Sequence, residues 1–188
     1  MINSYTLEPM EIVPEFDIEA YMSMSQETRL GGAVLERLYK LWGQWLPQLS
    51  VRVINAGKTK YLVVWLAEAV EESVDAAWDS SPSDGYQDNV LAQLMCMGAV
   101  QEVLPDVVQA GCAPAPRPTE TLRAALEELN LPYKEGEATL QRRYALVTHY
   151  PFKGACDICY LQPQCPKGQG RAEEESSFVL PGFEQGKD

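Results

Sequence analysis

Apolar residues recur at helical spacing in four stretches and at strand spacing in three. Leu30, Val34, Leu38, Leu41, Trp42 and Trp45 lie three or four positions apart, one face of an amphipathic helix. Ser25 stands where its N-cap is expected, and Leu46-Pro47 ends the pattern. The Trp and Leu stripe reads as core rather than as a cofactor-stacking surface. Val51 and Val53 then alternate with polar neighbours, Asn55-Ala56-Gly57-Lys58 makes a turn, and Tyr61 to Leu66 is rich in β-formers. These predict a hairpin. Helical spacing returns through Val70, Val74 and Trp78, with Glu68, Glu71, Glu72 and Asp75 on the other side as a solvated acidic face. Asp79 to Gly85 reads as a loop.

A second long helix is expected from about Tyr86 to Leu104, burying Leu91, Leu94, Met95, Gly98 and Val103, with Cys96 inside it. Gln109 to Pro118 is a Pro-rich connector, stiff and extended. Thr119 caps a further helix with Leu122, Ala125, Leu126 and Leu129 on its apolar face, ended by Asn130 and Pro132. Thr139 to Tyr150 alternates, Leu140, Tyr144 and Leu146 against Ala145 and Val147, a strand able to join the hairpin. Residues 1–24 show no period and read as an irregular arm. The expected fold is α+β, predominantly helical, with a small antiparallel sheet and a C-terminal cysteine loop. The expected organisation is an arm (1–24), a mixed core (25–150), the cysteine loop (151–167) and a flexible acidic tail (168–188), in which the apolar island Phe178 to Phe183 could dock on the body or a partner.

The composition adds bounds. The chain has 188 residues, 46% hydrophobic and 22% charged, enough for one domain with a sizeable core. A net charge of -12 opposes binding to nucleic acid, whose phosphates demand a positive surface. The one local basic feature of note is the pair Arg142-Arg143. No apolar run approaches the roughly 18–20 residues that span a bilayer. The first residues have neither a basic start nor an apolar core, so a cytoplasmic protein with reduced thiols is expected.

The chemistry concentrates in Cys156-Asp-Ile-Cys159-Tyr-Leu-Gln-Pro-Gln-Cys165-Pro. Three of the five cysteines lie here within ten residues, spaced C-x2-C-x5-C. Thiolates bind soft or borderline metals. Structural zinc usually takes two close pairs of ligands, and no second pair is present. Three close thiols and one remote ligand suit a cubane cluster, in which each of four irons needs one external ligand. Cys156, Cys159 and Cys165 are therefore expected to hold a 4Fe-4S-type cluster, with zinc as the alternative. No other stretch offers comparable chemistry. Gly57-Lys58-Thr59 is similar to the end of a P-loop, but the earlier glycine that motif needs is Arg52 and a strand-like run comes next.

The spacing, with Pro166 after the last cysteine, resembles the iron–sulfur loop of the endonuclease III and MutY glycosylases. It also resembles the C-terminal cysteine triplet of Cas4 and AddB-type nucleases, whose fourth cysteine lies far upstream. Radical-SAM auxiliary domains and WhiB regulators use similar spacings. The likeness covers residues 149–166 and implies only the ligand role of the three cysteines. In the glycosylases a further cysteine stands seven positions before the triplet, where this chain has His149, its only histidine. The fourth ligand is open between Cys112, placed first because it sits in a loop, then Cys96, then His149, or an open iron site. No catalytic dyad or triad is visible. The expected function is an accessory, electron-transfer or sensing iron–sulfur protein with a protein partner. A zinc-stabilised interaction adaptor, and then a nucleic-acid enzyme with a structural cluster, are the alternatives.

Overall fold

The alternating Val51 and Val53 and the β-forming run Tyr61 to Leu66 build the centre of an antiparallel sheet. The computed structural model describes residues 4–165 of the chain. Four strands, β1 (Tyr5–Pro9), β2 (Leu49–Ala56), β3 (Thr59–Leu66) and β4 (Ala145–Tyr150), lie side by side in that order, each antiparallel to the next. Gly57, with φ +64, takes the first central position of the β2–β3 turn, where a side chain would be strained.

Six α-helices complete the described chain: α1 (Ile18–Ser25), α2 (Gly32–Trp45), α3 (Glu68–Ser80), α4 (Pro82–Val103), α5 (Asp106–Ala110) and α6 (Glu120–Glu128). The fold is α+β and predominantly helical. Both faces of the sheet are covered. On one, Val51, Val53, Leu62, Val64 and Leu66 share a core with Leu91, Met95, Cys96, Ala99 and Val100 of α4. On the other, Ile54, Tyr61, Val63 and Val147 pack with Leu122, Ala125 and Leu126 of α6. This explains why Tyr61 to Leu66 is nearly all apolar: a strand buried on both faces loses its polar alternation. Each fully buried aliphatic side chain contributes roughly 1.5–3 kcal/mol. The central helix α4 buries residues around much of its circumference and touches α1, α2, α3 and the sheet.

The structure departs from the sequence reading at several points. The irregular arm contains β1 and α1; β1 is an edge strand made by its pairing with β2, not by any pattern of its own. Ser25 does not cap the tryptophan helix: it is the buried last residue of α1, and α2 starts from Gly31 as N-cap. The loop at 79–85 shrinks to a corner, because Ser81 accepts a hydrogen bond from the Asp84 amide and Pro82 opens α4. Trp78, assigned to a buried face, is 40% exposed. The strand expected from Thr139 begins only at Ala145; Leu140 makes an isolated bridge to Tyr133. The Thr119 cap and the β4–β3 pairing stand as expected. The acidic tail and its apolar island lie outside the described residues.

Candidate metal centre

β4 delivers the chain to the cysteine loop, and Tyr150 and Phe152 at its end pack on the α4 side of the core. Beyond them the backbone turns at every third residue. The Cys159 amide donates to the Cys156 carbonyl (3.2 Å), Gln162 to Cys159 (3.1 Å) and Cys165 to Gln162 (3.2 Å). Three of the four positions in this register are the cysteines. Cys156, Cys159 and Cys165 are half-buried, whereas Asp157, Ile158, Tyr160 and Gln162 are exposed.

The loop is tied to the Pro-rich connector that carries Cys112. The Tyr160 amide donates to the Ala115 carbonyl at 2.9 Å. On the connector's other side, the fully buried Thr148 hydroxyl of β4 donates to the Pro114 carbonyl at 2.9 Å. Pro114 and Pro116 are buried. The connector is thus hydrogen-bonded both to β4 and to the loop. Cys112 is half-buried, with its Sγ 3.7 Å from the Ala113 carbonyl oxygen. It lines a cavity of about 620 Å³ together with Met97 of α4 and Leu161 of the loop.

The other two candidates for a fourth ligand sit differently. Cys96 is 4% exposed in the core, and its thiol donates to the Tyr144 carbonyl at 3.6 Å. Burial pushes that thiol up to about 12, so it packs as a small apolar side chain rather than as a thiolate. His149 pairs with Tyr61 across the β3–β4 ladder, ring centroids 5.7 Å apart. Its Nδ1 is buried without a hydrogen-bond partner, and desolvation, with Lys153 nearby, holds the imidazole below its ordinary range.

Among the described residues, no three Cys, His, Asp or Glu side chains converge closely enough to hold a metal ion. The donor set is chemically suited to a soft metal, but its thiols do not converge. The turns and the bonded connector are in place.

The sequence reading missed Thr148 and the amide of Tyr160, because a hydrogen bond to a remote carbonyl leaves no local pattern. The basic pair Arg142-Arg143 is also not what it suggested. Arg142 Nε donates to Glu71 at 2.7 Å and its Nη2 to the Leu66 carbonyl at 2.9 Å. Arg143 grips both oxygens of Asp75 at 2.7 and 2.9 Å, lowering that carboxyl from its ordinary value. The pair docks on α3 instead of presenting charge for phosphates, and Glu71 and Asp75 belong to this contact rather than to a purely solvated face.

No protein-family description, curated protein or solved structure matches this chain. None of its helices among the described residues is long and apolar enough to cross a membrane.

Proposed function

We propose that this chain is a small iron–sulfur protein whose Cys156, Cys159, Cys165 and Cys112 bind a 4Fe-4S-type cluster. The observation that carries the reading is the C-x2-C-x5-C loop, three thiols in one turn register, bonded through Tyr160 to the connector that bears Cys112. Cluster binding draws the open thiols together, and its free energy stabilises the loop against the body. Cys112 is preferred over Cys96 because the Cys96 thiol is enclosed in the core, where ligation would require the α4 packing to open. The half-burial of the thiols limits water at the site, a setting that tunes a cluster's potential. The role follows as structural pinning of the loop, or electron transfer or sensing with a protein partner, in the cytoplasm.

Anaerobic purification followed by iron and sulfide analysis, with absorption and EPR spectra, tests the proposal. About four irons per chain are expected. Cys156→Ala, Cys159→Ala and Cys165→Ala abolish the signal, Cys112→Ala removes or alters it, and Cys96→Ala and His149→Ala leave it intact. Colourless protein carrying stoichiometric zinc would overturn the cluster. An unchanged spectrum in Cys112→Ala would overturn the fourth ligand.

A further inference from the structure

Arg117, Arg123 and Thr139 line a groove of about 710 Å³ together with Tyr160 and Leu161 of the cysteine loop. The groove shares Leu161 and Thr139 with the Cys112 cavity, so the two form one cleft. The Cys112 part has apolar walls, Met97, Leu146 and Val147 among them. Lys134 also lines it and stands where the two parts meet, its amide donating to the Thr139 carbonyl at 2.8 Å. Arg123 is held in position, its guanidinium 5.1 Å from the Tyr133 ring centroid. Arg37, Arg142 and Arg143 pair with carboxylates; Arg117, Arg123 and Lys134 have no carboxylate partner among the described residues. The one acidic residue lining the cleft, Glu137, accepts a hydrogen bond from the Thr139 hydroxyl at 2.5 Å.

Three unpaired cations against one carboxylate leave the cleft a surplus of positive charge, on a chain whose net charge is -12. That surplus calls for an anion. A phosphate monoester carries a charge of about -1.5 to -2 at neutral pH. Guanidinium forks bind its oxygens in pairs, and an ammonium adds a point charge. Apolar walls with a few charged groups are what a cleft needs to take an organic molecule. We infer that this cleft binds a small organic phosphate. Its phosphoryl group lies on Arg117, Arg123 and Lys134, and its apolar body on Met97, Leu146 and Leu161. A long polyanion such as nucleic acid is disfavoured by the charge of the rest of the chain. The inference stands on the cleft and its charge, independently of any metal at the thiols.

Calorimetric titration of the full chain with phenyl phosphate, inorganic phosphate and phenol is the test. Phenyl phosphate is expected to bind roughly tenfold more tightly than inorganic phosphate, because only it fills both parts of the cleft, and phenol not at all. Its affinity falls about tenfold or more in the R117A/R123A variant and in about 0.5 M salt. It is unchanged in Arg29→Ala, which alters an exposed arginine that lines neither part of the cleft. Circular dichroism checks that the double variant, altered at two exposed positions, keeps its fold. Amide chemical shifts of the unaltered chain locate the ligand, with changes expected at Arg123, Lys134, Met97 and Leu161. The site is overturned if phenyl phosphate does not bind, or if its shifts fall elsewhere. It is equally overturned if the arginine changes leave the affinity as it was, or if inorganic phosphate binds as tightly as phenyl phosphate.

Discussion

His149 is the one histidine of the chain, and burial with Lys153 nearby lowers its pKa from 6.5. A folded-state pKa below the unfolded one means that the fold prefers neutral imidazole. The contribution to stability is therefore complete above 6.5 and is lost as pH falls through that value toward the lower folded one. Urea titrations at about pH 7.5 and 5.5 are expected to show lower stability at the acid end, and His149→Gln to flatten the difference. An equal slope in that variant would remove the imidazole as its cause. Gly85 makes a second residue-scale case. A Cβ there would sit 2.5 Å from the Trp78 ring and 2.7 Å from the Trp78 Cα. Gly85→Ala is expected to destabilise by about 1–3 kcal/mol in thermal melts. Adding Trp78→Ala is expected not to restore stability, because the obstructing Cα remains. The sequence marks Gly85 only as a loop glycine; that its hydrogen faces an indole depends on how α3 and α4 meet.

Between elements, the segment leading into β4 is locked to α3 through Arg142 and Arg143. Arg142 is largely buried and satisfies both Glu71 and the Leu66 carbonyl. Arg142→Ala is expected to cost about 1–3 kcal/mol in urea unfolding, since a carboxylate and a carbonyl lose their donor. Arg143→Ala, whose pair with Asp75 is exposed, is expected to change little. The elements themselves were unevenly legible. α2 and α6 announce themselves through apolar spacing, because each presents one covered face in a short window, and the β2–β3 hairpin through its turn and its run of β-formers. β1 does not: its residues are mostly exposed, and Pro9 ends it. The acidic face of α3 was readable, but its arginine partners lie about 70 residues away in sequence and leave no local trace.

Across the whole molecule, the connector at 111–118 joins parts far apart in sequence. Thr148 holds it to β4, and Tyr160 holds the cysteine loop to it. Thr148→Val keeps the shape and deletes the donor, leaving the buried Pro114 carbonyl unsatisfied. A loss of about 1–3 kcal/mol is expected. Faster hydrogen exchange at the Tyr160 amide is expected with it, because the loop's anchor loosens. Unchanged exchange at Tyr160 would show that loop and connector are held independently of β4.

The sequence by itself determined the amphipathic elements, the fold class and the clustered thiols, since these depend on spacing within a few turns of chain. It also reduced the fourth ligand to three residues and an open site. Only the tertiary structure decided that Cys96 is sealed in the core, that Cys112 travels on a segment bonded to the loop, and that Arg142 and Arg143 serve α3. Local pattern records which face of an element avoids water. Which distant carbonyl, carboxylate or ring then meets that face is settled by packing, where one hydrogen bond or one missing Cβ sets the neighbour.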